Sequence, residues 1–147
     1  MYEFVDRPVT SLDDGGRFLV WSMRSWVRTV AESRCPQNTL CGGFAYWRMM
    51  CALQPFLKMM ALFNYHGLQT FGFCQLQCNQ VSESEAIILN LICSLRERNV
   101  DCVRATAACL VDGESVDSLM RSLALIDNCM EDASIGLARP RSPIGRS

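Results

Sequence analysis

Two cysteines and the only histidine of the chain are the residues best suited to chemistry. Cys74 and Cys78 are separated by three residues and follow His66 in the sequence. Both sulfur atoms fall on one face of their segment, whether that segment is extended or helical. Two thiolates and an imidazole are ligands that zinc and other soft metals prefer. One hypothesis is therefore a metal-binding or thiol-redox site formed by Cys74, Cys78 and His66.

The alternative is that these residues are packed and inert. Zinc sites usually show two closely spaced ligand pairs, whereas the possible second pair here, Cys35 and Cys41, is loosely spaced. Free cysteine is commonly buried as a small hydrophobic residue, and a histidine at a helix end commonly meets the helix dipole. This interpretation is favoured, and it predicts no bound cofactor.

The nine cysteines bear on the redox environment of the protein. The N-terminal residues show no basic stretch followed by an apolar run, so a cytoplasmic protein with reduced thiols is expected. Five cysteines fall among apolar residues of predicted helices, which predicts that they lie in or near the core. These are Cys51, Cys93, Cys102, Cys109 and Cys129.

The sequence lacks the common catalytic and membrane patterns. It contains no glycine-rich phosphate loop after a strand, no Gly-x-Ser-x-Gly and no His-Glu-x-x-His. The apolar stretch 44–63 is interrupted by Arg48 and Lys58, which argues against a membrane span. With 14 basic and 15 acidic residues, the chain has no net charge that would draw it to nucleic acid. A non-enzymatic protein, with neither membrane nor nucleic acid as partner, is therefore expected.

Helical periodicity dominates the rest of the chain. Apolar residues recur at helical spacing, and Ser82 with Glu85 forms a capping-box pattern at the start of one helix. The predicted helices run from 17 to 33, from 38 or 39 toward 55, from 55 to 65, from the cap at Ser82 to a stop at Asn99, from a cap at Asp101 to 112–113, and from about 115 to 131. Pro55 is predicted to end or kink its helix. The fold class is therefore all-α, a compact irregular bundle of five to six helices with an irregular cysteine-containing crossover near 67–81.

The composition changes near residue 134. Residues 134–147 are rich in glycine, proline, serine and arginine, which is typical of mobile tails. Residues 1–133 are therefore predicted to form a single helical domain, followed by a flexible C-terminal tail at 134–147.

The first predicted helix offers a candidate partner-binding surface. Its arginines, among them Arg24 and Arg28, gather on an edge opposite the apolar stripe, and Trp21 lies away from that stripe. Exposed large apolar groups usually mark a partner surface. We predict that Trp21, Arg24 and Arg28 bind a second copy of the chain or another protein. The functional hypothesis is a self-associating helical interaction or regulatory module, with the metal-binding or thiol-redox protein as the alternative.

Overall fold

The described part of the fold is built from α-helices. The computed structural model describes residues 4–68 and 77–139. The α-helices in these ranges are α1 (Asp14–Ala31), α2 (Pro36–Tyr46), α3 (Met50–His66), α4 (Glu83–Arg96), α5 (Val100–Leu110) and α6 (Val116–Asp132). The predicted all-α irregular bundle is confirmed. Residues 69–76 of the predicted crossover, including Cys74, lie outside the described residues.

Side chains cap the starts of α1 and α4. The Asp13 carboxylate accepts a hydrogen bond from the Gly16 amide at 3.1 Å. The Ser82 hydroxyl accepts from the Glu85 amide at 3.3 Å, and the Glu85 carboxylate accepts from the Ser82 amide at 2.9 Å. These bonds satisfy amides that have no partner within the helix. The predicted capping box is therefore confirmed.

Four of the helices in the described ranges end in the same backbone motif. The residue after each C-cap has a positive φ, and the next amide donates to a carbonyl in the last helical turn, as in a Schellman motif. Those positive-φ residues are Ser33, Arg48, Arg98 and Ser134. None of the four is glycine, although glycine is the residue that adopts this conformation without steric cost. Burial of the next side chain holds two of these turns in place, because Met49 and Ile135 lie in the core.

The boundary between α2 and α3 differs from the prediction. α2 ends at Tyr46, and the Met49 amide donates to the Phe44 carbonyl at 2.7 Å. Pro55, which the sequence predicts to end or kink a helix, lies inside α3. It lacks an N–H group, so the helix forgoes one backbone bond there. The break occurs at residues 47–49 because Arg48 takes the left-handed conformation and Met49 packs into the core.

The core is centred on α6. This helix packs against α3, α4 and α5, while α1 packs against α2 and α4. Leu119, Leu123 and Met130 of α6 are fully buried. Phe18 and Phe44 join α1 to α2 with ring centroids 4.8 Å apart.

A disulfide joins α3 to α6. Cys51 and Cys129 are bonded, which corrects the expectation that all thiols are reduced. Cys93 and Cys129 are buried as predicted, whereas Cys51, Cys102 and Cys109 are exposed. Cys102 and Cys109 lie on the outer side of α5, whose buried residues are Val103, Ala107 and Leu110. Apolar sequence context alone therefore misplaced three of the five cysteines.

The chain continues past α6 as an ordered segment. Residues 135–139, which we call the strap, lie against α1 and α4, with Ile135 and Leu137 buried. The first residues of the tail predicted for 134–147 thus contact the domain, and the division into a domain at 1–133 and a flexible tail stays a prediction. Residues 140–147 lie outside the described residues.

Of the helices in ranges 4–68 and 77–139, none combines the length and hydropathy needed to cross a bilayer.

Two adjacent glycines of α2 test how tightly α1 packs on α2. A Cβ atom at Gly43 would lie 2.3 Å from the Trp21 ring, whereas a Cβ at Gly42 would meet nothing within 4 Å. We expect Gly42→Ala to raise the free energy of unfolding by up to about 1 kcal/mol, because alanine favours helix. Gly43→Ala should lower it by about 1–3 kcal/mol through the clash. Urea unfolding of both variants measures this, and equal stabilisation by both would contradict the close packing of Trp21 on Gly43.

Candidate functional site

Arg24 lies inside the fold. Its guanidinium donates to the Glu85 carboxylate, with Nε to Oε2 at 2.8 Å and Nη2 to Oε1 at 3.0 Å. It also donates to the carbonyls of Cys78 at 2.5 Å and Gln80 at 2.7 Å. The side chains of Arg24 and Glu85 are 2% and 0% exposed. These acceptors belong to α4 and to the segment leading into it.

Arg24 therefore does not belong to the exposed basic edge that the sequence predicts for α1. Arg24 is buried by its ion pair with Glu85, so its surface is not available to a partner in this structure. Arg28 is exposed and pairs with Glu32 at 3.2 Å. Trp21 is half-buried and packs on Gly43. Of the three predicted partner-binding residues, Trp21 and Arg28 remain at the surface, and their binding role stays a prediction.

Trp21 is one of several large apolar side chains near α2 that are exposed or half-buried. Tyr46 is 82% exposed and Met50 49% exposed. The Trp47 ring lies 5.8 Å from the Tyr46 ring and 6.1 Å from the Phe18 ring, centroid to centroid. Trp21 lies on Gly43, one helical turn before Trp47. We call Trp21, Tyr46, Trp47 and Met50 the aromatic surface, and it lies where α2 turns into α3.

The aromatic surface is only partly visible in the sequence. Trp21 can be recognised because it lies away from the apolar stripe of its helix. Tyr46, Trp47 and Met50 cannot, because a continuous helix over 39–55 places Trp47 and Met50 on its apolar side. The turn at residues 47–49 leaves Tyr46 and Met50 at the surface. Its local signal, a left-handed Arg48, is weak because arginine seldom takes that conformation.

His66 lies at the end of α3 and contacts a carboxylate. Its Nδ1 is 3.0 Å from Oδ2 of Asp112, and both side chains are about half exposed. Asp112 also accepts from the Ser115 amide at 3.0 Å. The bond from Ser115 and the contact with His66 lower the pKa of Asp112, although some desolvation opposes them. A carboxylate on one ring nitrogen fixes the orientation of the imidazole and leaves Nε2 available to solvent.

Of the three proposed metal ligands, His66 and Cys78 have different contacts in the structure. His66 contacts Asp112, while Cys78 is half-buried with its sulfur 3.7 Å from the Gln80 carbonyl. Cys74 lies outside the described residues. Within the ranges 4–68 and 77–139, no three histidine, cysteine, aspartate or glutamate side chains come together as a metal site.

A shallow groove lies between the α4–α5 turn and α6. It encloses about 250 Å³ and is lined by apolar Leu95 and Val100 together with charged Arg98 and Glu131. The Arg96 side chain there donates to Asp127 at 3.0 Å. The groove presents both charge signs and one ion pair that is already satisfied, so its lining indicates no single ligand class.

In comparisons with known proteins, no family model, no curated protein and no solved structure matches the chain.

The contact between His66 and Asp112 predicts a specific pH response. The folded-state pKa of Asp112 lies below its usual value near 3.8, so the ionised carboxylate stabilises the turn before α6. That stabilisation is present above the unfolded-state pKa and is lost as the pH falls through the lowered folded pKa. We expect His66→Ala to raise the Asp112 midpoint only partway, because the bond from Ser115 remains. An NMR titration that follows the carboxyl carbon of Asp112 measures this midpoint. An unchanged midpoint in His66→Ala would show that His66 does not help to lower the pKa of Asp112.

Proposed function

We propose that this protein is a non-enzymatic helical interaction module that self-associates through the aromatic surface. The observation that carries the proposal is Tyr46, an aromatic side chain that is 82% exposed beside Trp47, with Met50 also exposed four positions later in the chain. Burial of such rings against a partner removes apolar area from water, and this is the main favourable term in association.

The composition of the surface supports a protein partner. Tyrosine, tryptophan, methionine and arginine are enriched at the centres of protein interfaces. Trp21, Trp47 and Met50 supply apolar area, and methionine adapts its shape to an opposing surface. Arg48, which is exposed in the α2–α3 turn, adds a cation beside Trp47. A twofold homodimer is the proposed assembly, because most soluble oligomers are symmetric homomers.

The cellular location is also a proposal. We propose a cytoplasmic location, which agrees with the free thiols of Cys35, Cys41, Cys78 and Cys93. The Cys51–Cys129 disulfide is the observation that favours an oxidising compartment, because disulfides persist there and are rare in the cytosol.

The alternative function, a metal-binding or thiol-redox protein, is supported by one contact. A histidine that binds a metal usually has its second ring nitrogen on a carboxylate or carbonyl, as His66 has on Asp112. Cys78, and Cys74 outside the described residues, are the proposed further ligands for zinc or another soft metal. This function requires the two cysteines to approach His66, and it predicts that the purified protein retains metal in native mass spectrometry.

Tyr46→Ala tests self-association against a matched control. We expect this variant to weaken the dimer at least about tenfold, the effect of losing one aromatic anchor at an interface centre. Tyr65→Ala removes another strongly exposed tyrosine, at the far end of α3, and should leave the dimer unchanged. Native mass spectrometry over a concentration series reports subunit number and any bound metal. A wild-type chain that stays monomeric at every concentration would contradict the proposal.

A further inference from the structure

The strap, residues 135–139, is bound through its backbone along its whole length. The Gly136 carbonyl accepts from the Gly15 amide at 2.9 Å, and the Ala138 amide donates to Oδ2 of Asp13 at 2.7 Å. The Ile135 carbonyl accepts from Arg96 at 2.7 Å. These contacts hold an extended segment against the start of α1 and the outer side of α4, as a bound peptide is held.

Arg139 anchors the end of the strap. Its guanidinium donates to the Glu97 carboxylate at 2.9 Å, to the Ser94 hydroxyl at 2.8 Å and to the side-chain oxygen of Asn90. Asn90, Ser94 and Glu97 are spaced by four and three residues and so line one side of α4. Together they form a guanidinium site with one full negative charge.

The polarity of this site suits reversible contact. Asn90 and Ser94 are buried beneath the strap, and each accepts a hydrogen bond from Arg139. A buried polar group that loses its partner is costly in a dry interior but not in water. Departure of the strap exposes Asn90 and Ser94 to water, so their hydrogen bonds are replaced. The polar groups of the interface are thus rehydrated when the strap leaves, whereas Ile135 and Leu137 lose their burial, which favours renewed binding of a strap in the open groove.

A buried thiol reports whether the strap is in place. The Cys93 side chain is 1% exposed, and its sulfur lies 3.4 Å from the Leu137 carbonyl. Burial raises the pKa of Cys93 to about 11. Because the thiolate is the reactive form, Cys93 resists alkylation while the strap covers it. Cys35, Cys102 and Cys109 are exposed and serve as internal references for the reagent.

We infer that the strap is exchangeable, and that the groove formed by Asp13, Gly15, Asn90, Ser94 and Glu97 accepts the strap of a second copy of this chain. The same contacts then form between molecules, as in domain swapping. This inference goes beyond the aromatic surface and does not depend on it. The arginine at the end of the strap fixes the register of the incoming segment.

The connection between α6 and the strap supplies a hinge. Ser134 has φ 58° and is the turn residue between the helix and Ile135. A residue other than glycine in this conformation is strained, and rotation at Ser134 relieves the strain as the strap leaves. Domain swapping is favoured by short strained connections of this kind.

In the wild-type chain, the molecule's own strap competes strongly with the strap of another molecule for the groove. A tethered segment has an effective concentration in the millimolar range, so the closed monomer predominates in dilute solution. Exchange becomes visible when the strap of one molecule is weakened and another molecule supplies an intact one. Two variants provide this arrangement: Arg139→Ala has an impaired strap and an intact groove, whereas Glu97→Ala has an intact strap and an impaired groove.

The test measures alkylation of Cys93 by peptide mapping. In Arg139→Ala alone, we expect alkylation about tenfold faster than in wild type, since several charge-assisted hydrogen bonds are lost. Addition of excess Glu97→Ala chain should slow Cys93 alkylation in the Arg139→Ala chain toward the wild-type rate. Isotope labelling of the Arg139→Ala chain separates the two variants in the same digest.

Controls separate exchange from other effects. The double variant Arg139→Ala/Glu97→Ala lacks an intact strap and should give no protection when it is the added chain. If Arg139→Ala does not fold, Ala138→Pro replaces it, because this change removes the N–H that donates to Asp13. The inference would be overturned if Cys93 of the folded Arg139→Ala chain is reactive and the added Glu97→Ala chain fails to protect it at any concentration.

The test also distinguishes this inference from the proposed function. Introducing Tyr46→Ala into both chains removes the aromatic anchor and should leave Cys93 protection intact. Protection that disappears with Tyr46→Ala would mean that Cys93 responds to contact at the aromatic surface rather than to strap exchange, and the inference would fail.

Discussion

The buried ion pair between Arg24 and Glu85 is the constraint on which the arrangement of the bundle depends. It joins two residues 61 positions apart, and Arg24 also holds the carbonyls of Cys78 and Gln80. Glu85 at the same time caps its own helix through Ser82. A buried charge left without its partner is strongly destabilising, so the path into α4 and the position of α1 are fixed together.

Both candidate interaction sites follow from this arrangement. With α4 held against α1, the start of α1 and the outer side of α4 form the groove that the strap fills, from Asp13 to Glu97. Farther along α1, Trp21 packs on Gly43 of α2, and Tyr46 at the end of α2 is exposed where the chain turns into α3. The structure thus offers two separate surfaces for self-association, the aromatic surface and a groove that combines polar contacts with the burial of Ile135 and Leu137.

The sequence predicted what local chemistry determines and missed what distant contacts determine. Helix type and the capping box at Ser82 depend on neighbours within a few residues, so they could be predicted. Arg24 falls beside other arginines on a helical wheel, and nothing near it in sequence indicates that Glu85 buries it. The Cys51–Cys129 disulfide joins residues 78 positions apart, and spacing cannot select one pair among nine cysteines. Site residues depend mainly on such distant contacts.

The most direct test of this constraint is the free energy of unfolding in urea for Arg24→Met compared with Arg28→Met. Both changes replace an arginine of α1 with an apolar side chain. If Arg24 anchors α4, its replacement removes the guanidinium that pairs with the buried carboxylate of Glu85. The free energy of unfolding should then fall by about 3–5 kcal/mol. The exposed pair of Arg28 with Glu32 is screened by water, so Arg28→Met should change the free energy of unfolding far less. Similar small losses in both variants would contradict the central role of the Arg24–Glu85 pair.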